Sequence, residues 1–441
     1  MNKLRKIFFP TLLVISFLLL IWTFYKAQII FKGEENTYYI AYYIVSIILI
    51  FLSILTFFLT KEIKEHLTIS IVVVVSTLYL FEGYLGFNKY KLSILTGKSN
   101  LEVYEDLIEK KKNVSLAIYP TSHLDQKEIF PLSGISNSQT VFCAENGYHA
   151  VYESDRYGFN NPDSEWDKNE IDYMLIGDSY THGACVNRPD DIGSVLRTLS
   201  NKSVLNLGMY NNSSLIEYAT MREYLNPNVK NVIWIYFGND IGDLMWELDD
   251  KFLGNYLNDT TFTQNLKSRQ GEVDVFLNKW INARLPTERK KLQSKKIREK
   301  QKDMKLLFFL TNFFKLAMIR DYAFTLSQRN AFLEQMELES NKAKKGFEEI
   351  LKLAKDLAAK NNSNFYVAYL PGYIHYTNLN FNTHYEFVKK TTNKLDIPLI
   401  DLHEEFFGKE KDTSIFSTSK GFHYNELGYK KVAETIYKYL E

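Results

Sequence analysis

Three apolar runs open the chain, and an alternation of short apolar stretches with helix-spaced segments fills its second half. Ile7–Tyr25 is interrupted only by Pro10, Thr11, Ser16 and Thr23. Thr37–Thr60 carries no charge, and Leu67–Leu85 carries only Glu82. Each run has about the 20 residues that cross a hydrocarbon core, so the pattern predicts a membrane anchor of three transmembrane helices over residues 1–90. A cleaved signal would show a shorter apolar core followed by a small-residue cleavage site, and none follows the first run. Lys3, Arg5 and Lys6 precede the first run, and Lys61 and Lys64 lie between the second and third. Basic residues mark the cytoplasmic side, so both segments are expected there. An odd number of spans then leaves the rest of the chain outside, extracytoplasmic or periplasmic.

Residues 91–150 show no strong period and read as a connecting segment. Beyond them, apolar runs at Tyr173–Ile176, Val204–Leu207, Val232–Phe237, Phe365–Leu370 and Leu399–Leu402 alternate with helically spaced segments. These segments are Ile192–Leu199, Ser214–Leu225, Ala343–Lys360, Tyr385–Lys394 and Glu426–Leu440. Strands alternating with helices predict an α/β domain over residues 151–441, with a five-stranded parallel sheet covered on both faces. An insertion at about 245–340 interrupts it. The insertion holds a basic run, Arg289–Lys305, followed by apolar Leu306–Met318. That pair reads as a solvated helix followed by a packed one, or as a lid, or as an amphipathic element near a membrane surface.

Composition changes this picture little. The chain has 53 basic and 52 acidic side chains among 441 residues, a balance that implies no polyanionic partner and argues against nucleic-acid binding. The abundance of Lys, Asn, Ile, Phe and Tyr is that of AT-rich, bacterial coding. The two cysteines, Cys143 and Cys185, are expected to form a disulfide in an oxidising compartment. Such a bridge would pin Thr140–Asn146 to the segment that follows Ser179.

The chemistry gathers at strand ends. "IDYMLIGDSYTHG" leads from a strand into Asp178 and Ser179, where either residue could cap the next helix or Ser179 could be held up as a nucleophile. "VLNLGMY" places Gly208 at the end of the next strand. "IWIYFGNDIGD" places Asn239 at the end of the third, and "GFHYNELGY" places His423 just before the last helix. This set suits acyl transfer. Ser179 attacks a carbonyl as His423 takes its proton, while the Gly208 backbone and the Asn239 amide donate to the oxyanion. It calls for no metal and no cofactor.

On these residues the chain resembles the SGNH, or GDSL, hydrolase family, over about residues 150–441. The resemblance implies a flavodoxin-like α/β/α sandwich, with Ser179 as nucleophile, Gly208 and Asn239 as oxyanion donors, and His423 as base. "SDRYGFNNPDSEW" looks like a segment of membrane-anchored members associated with surface polysaccharides. The expected activity is that of a membrane-anchored serine esterase or acyl-transfer enzyme, acting on O-acetyl groups of an extracellular polysaccharide. The expected partners are an acylated glycan or lipid substrate and the membrane. The alternatives are a lipase or lysophospholipase-like esterase and a catalytically silent envelope scaffold. Two positions depart from the family pattern: Phe237 replaces a glycine, and Lys420 stands where an aspartate usually orients the histidine. Asp401, near the end of the last strand in "IPLIDLHEEF", is the best-placed acid to replace it, set against a plainer reading as a cap or loop carboxylate and a dyad in which a backbone carbonyl holds the ring.

Overall fold

A computed structural model describes residues 2–33, 36–95, 98–110, 113–124, 126–300, 313–373, 384–407, 413–417 and 423–441. The chain folds as two compact units, one of Met1–Asn88 with Leu306–Ala323 and one of Lys89–Lys305 with Phe324–Glu441.

The first unit is helical: α1 (Asn2–Phe24), α2 (Asn36–Leu55) and most of α3 (Lys61–Leu95). Two stretches are long and apolar enough to cross a membrane, Phe8–Ile30 and Lys61–Phe87. Among the described residues, the middle apolar helix covers only Tyr42–Phe58. By length and composition, two candidate spans are found among the described residues where three were expected.

The second unit is built on a five-stranded parallel sheet of order β5-β4-β6-β7-β8, comprising β4 (Ile171–Gly177), β5 (Val204–Asn206), β6 (Val229–Tyr236), β7 (Asn364–Tyr369) and β8 (Leu399–Asp401). Successive side chains on a strand point to opposite faces, and here both faces are buried. Met174, Ile176, Val232, Trp234 and Tyr236 enter one core, while Tyr173, Leu175, Ile233 and Ile235 enter the other. That is why these strands read as continuous apolar runs rather than alternating ones. The short α4 (Ser179–His182) follows β4 directly. One core is covered by α5 (Ile192–Ser200) and the C-terminal helix Glu426–Leu440, through Ile192, Leu196, Val432 and Ile436. The other is covered by α6 (Ser214–Tyr224) and by the second half of a long helix, Ala317–Lys360, through Leu215, Ala219, Phe347, Ile350 and Ala354.

The segment read as a connector belongs to this unit. Its residues form β1 (Val114–Leu116) and β2 (Gln139–Val141), and β2 pairs with both β1 and β3 (Val151–Glu153) in a three-stranded sheet. Ile118, Phe130, Leu132 and Val141 join the main core. Strands of three residues are too short to show a period, and their interior is partly polar. Ser138 Oγ donates to Ser115 Oγ at 2.7 Å, and Ser115 and Thr140 lie 3.0 Å apart through their hydroxyls. Part of the insertion is likewise core, since Leu253, Tyr256, Leu266, Val273 and Leu277 are buried against the sheet's helices.

Candidate active site

β4 ends on Gly177 in a conformation that admits only glycine. With φ at +157°, an added Cβ would stand 2.2 Å from Thr181 Oγ1 and 2.6 Å from the Ile235 carbonyl. The chain therefore turns sharply into α4, with Asp178 as its N-cap accepting from Tyr180 N at 2.9 Å. Cap and candidate nucleophile are adjacent residues. Asp178 caps, and Ser179 is left facing His423.

His423 lies in a short antiparallel bridge before the last helix, where Ser417 N donates to its carbonyl at 2.8 Å and Asn425 caps the helix through Gly428 N at 3.1 Å. Its Nε2 is 2.9 Å from Ser179 Oγ and its Nδ1 is 3.0 Å from Glu145 Oε1. The other oxygen, Glu145 Oε2, accepts from His423 N at 3.1 Å and from Ser417 Oγ at 3.2 Å. Hydroxyl, imidazole and carboxylate thus form a continuous hydrogen-bonded chain, the arrangement that lets an imidazole take a serine proton while a carboxylate fixes its tautomer.

The acid comes from the β2–β3 connection. Cys143 and Cys185 are joined by a disulfide, with Cα atoms 5.0 Å apart, and Asn146 Nδ2 donates to the Cys185 carbonyl at 3.1 Å. The bridge ties the loop carrying Glu145 to the chain just after α4. Glu145, Cys185 and His423 place possible metal-ligating atoms within 4.8 Å of one another. The Cys185 sulfur is spent in the disulfide, however, and both ring nitrogens of His423 are hydrogen-bonded to Glu145 and Ser179.

Asp401 does not fill that role. It accepts from Tyr385 Oη at 2.6 Å and from Glu404 N at 3.0 Å, with Lys389 Nζ 3.5 Å away. It sits at the correct edge of the sheet but on β8, the border strand three places from β4. Lys420, at the usual position of the acid, lies outside the described residues.

Gly208 and Asn239 follow β5 and β6, the two neighbours of β4, so the strand order puts both beside Ser179's strand. Gly208 is required by packing: an added Cβ would lie 2.4 Å from His182 N and 2.5 Å from Thr181 Cβ. Its N–H donates to Asn206 Oδ1 at 3.0 Å. Asn239 is exposed and gives one amide hydrogen to Asp243 Oδ2 at 2.7 Å. Phe237, the departure beside it, stacks on Tyr180 with ring centroids 4.1 Å apart, and Tyr180 lies 5.1 Å from the His423 ring.

A supporting layer holds these residues. Asn160 Nδ2 donates to the His182 carbonyl at 3.0 Å, and Asn206 Nδ2 to the Thr181 carbonyl at 2.6 Å. Asn161 brackets Asn206, donating to its carbonyl at 2.9 Å and accepting from its N–H at 2.8 Å. "SDRYGFNNPDSEW" is therefore a brace under α4. Burial drives His182 down to about 3, so it is neutral. Its Nδ1 accepts from Tyr210 N at 3.2 Å, and its Nε2 is 2.9 Å from the Tyr152 hydroxyl. Burial pushes Asp178 up to about 6. Behind it, Glu217, Asp240 and Glu247 are also raised by burial, Glu247 to about 8 although three backbone N–H groups of α6 and its cap oppose the shift.

Neither a protein-family model nor a curated protein matches the sequence. Among the solved structures similar to the chain are two that match at 14% identity and a TM-score of 0.33 each. One is a lipolytic protein of the G-D-S-L family from Desulfitobacterium hafniense DCB-2, matched over 61% of this chain and 99% of that one. The other is the acetyl xylan esterase AlAXEase, matched over 62% of this chain and 100% of that one. The chemistry argued for the site rests on its own geometry.

Proposed function

We propose that the protein is a serine esterase or acyl-transfer enzyme of the SGNH type, acting on O-acetyl groups of an extracellular polysaccharide. The observation that carries this reading is the unbroken chain from Ser179 Oγ through His423 to Glu145, 2.9 and 3.0 Å long at its two links. His423 Nε2 takes the hydroxyl proton as Oγ attacks the acyl carbonyl. Asn239, with an amide hydrogen to spare, and the Ser179 backbone N–H donate to the oxyanion. Gly208 joins them if its N–H is released from Asn206. The tetrahedral intermediate collapses as Nε2 returns the proton to the leaving alcohol. Water or an acceptor hydroxyl then takes the acyl group from Ser179 by the reverse steps.

A disulfide beside the site supports an oxidising, extracytoplasmic location for this unit, and the apolar helices support membrane anchorage. Labelling by a fluorophosphonate probe tests the enzyme reading: wild type reacts, and Ser179→Ala does not. An unlabelled wild type leaves the silent scaffold as the correct description. Release of acetate from acetylated sugars, set against long-chain acyl esters, tests the substrate. Hydrolysis of the long chains alone replaces the glycan reading with a lipase one.

A further inference from the structure

Glu82 is the only charged residue in the third apolar run, yet it is buried, at 2% exposure. Its partners come from the insertion. Oε1 accepts from Met318 N and Oε2 from Ile319 N, each at 2.8 Å, in the first turn of the helix that begins at Ala317. Tyr79, just under one turn earlier on α3, donates its hydroxyl to the Phe314 carbonyl at 3.1 Å and lays its ring 5.2 Å from that of Phe313. Arg320 donates to the Tyr42 hydroxyl on α2. Phe313–Arg320 is therefore part of the same compact unit as the N-terminal helices.

Two physical points say what surrounds this turn. A helix start leaves its first N–H groups without intrahelical partners. Water serves them at an ordinary surface, but in hydrocarbon each unpaired group costs several kcal/mol. Here side chains of α3 serve them, and a carboxylate is spent inside an apolar run to do so. Ionisable residues in such runs face protein partners and mark functional contacts. The second point is depth. Glu82 follows Lys61 by 21 residues, about 32 Å along a helix, which matches a hydrocarbon core of about 30 Å. A span that enters hydrocarbon at Lys61 would therefore leave it near Glu82. Phe314 stands beside it with 66% of its surface exposed.

We propose that Phe313–Arg320 is a membrane-interface element: the insertion returns to the bilayer, sets Phe313 and Phe314 into lipid, and is held there by Glu82 and Tyr79. The chain is then attached to the membrane at a second place besides its N-terminal helices. The inference is independent of the esterase reading.

The test uses the full-length protein in lipid nanodiscs. Cysteine is placed at Phe314 (F314C) and, as an aqueous control, at Val275 (V275C), 70% exposed in the other unit. The native cysteines are held in their disulfide. A water-soluble maleimide should modify F314C at least about tenfold more slowly than V275C, and a bimane on F314C should be quenched by brominated lipid. Equal labelling rates, or no quenching, overturn the proposal. Glu82→Ala should raise the labelling of F314C toward the control, with Glu82→Gln, which keeps one acceptor oxygen, between them. If labelling of F314C is unmoved by Glu82→Ala while quenching persists, Glu82 is not the holding group. Should that variant fail to fold, quenching in the otherwise native chain still decides whether the turn meets lipid.

Discussion

Glu145→Gln is the sharpest test of the site because the structure says which way the new amide will turn. Oε2 accepts from two donors, His423 N at 3.1 Å and Ser417 Oγ at 3.2 Å, while Oε1 lies against Nδ1. In the variant the amide oxygen keeps the first position and its NH₂ group takes the second. That group donates to Nδ1, so the imidazole must carry its proton on Nε2, the nitrogen that has to accept from Ser179. The base is in the wrong tautomer, and no charge stabilises the imidazolium. In serine triads such an exchange costs about 10⁴ in turnover, or about 5.4 kcal/mol at 1.36 kcal/mol per decade. The measurement is kcat and kcat/KM on an activated acetyl ester, with thermal unfolding of both proteins as a check on folding. Because the carboxylate acts mainly after binding, kcat should fall and KM should hardly move. Asp401→Asn, run in parallel, should leave the rate unchanged, since Asp401 serves Tyr385 and the Glu404 cap. A folded Glu145→Gln enzyme retaining more than about a tenth of wild-type turnover, or an equal loss in Asp401→Asn, would refute the relay described here.

Two further predictions follow from the structure. Replacing Cys143 and Cys185 together by serine opens a loop of 42 residues, for which the chain-entropy relation gives a loss of about 4 kcal/mol. Activity should fall further than stability alone explains, because Glu145 loses its tether, and unfolding and rate measured on one preparation separate the effects. Burial holds the Glu217 carboxyl well above its ordinary range, so the folded state keeps the proton that the unfolded chain releases. The associated stability is complete below the unfolded pKa and is lost as pH rises through the folded one. Glu217→Gln should therefore flatten the decline of melting temperature as pH rises above the ordinary carboxylate range. The same slope in both proteins would show that Glu217 is ionised in the fold.

Sequence alone determined what depends on near neighbours. A strand buried on both faces writes itself as an apolar run, and all five strands of the large sheet lie where those runs lie. The turn after β4 needs glycine, a cap and a hydroxyl in succession, and residues 177–179 supply them. The order of Ser179, Gly208, Asn239 and His423 along the chain was equally legible, because each marks the end of a local element. The orienting acid was not legible, for it stands 278 residues before His423. It arrives by way of a three-stranded sheet too short to show a period. The one available signal was Cys143, two residues from Glu145, whose disulfide partner follows Ser179 by six. Asp401 stands near the end of the last strand, as expected, but that strand lies three places from β4, and periodicity reveals that a strand exists and not its place in the sheet. The insertion shows the same limit. Its apolar segment is visible in the sequence, but that it returns to Glu82 is settled only by folding, since hydrogen-bond partners 236 residues apart are chosen by geometry and not by spacing.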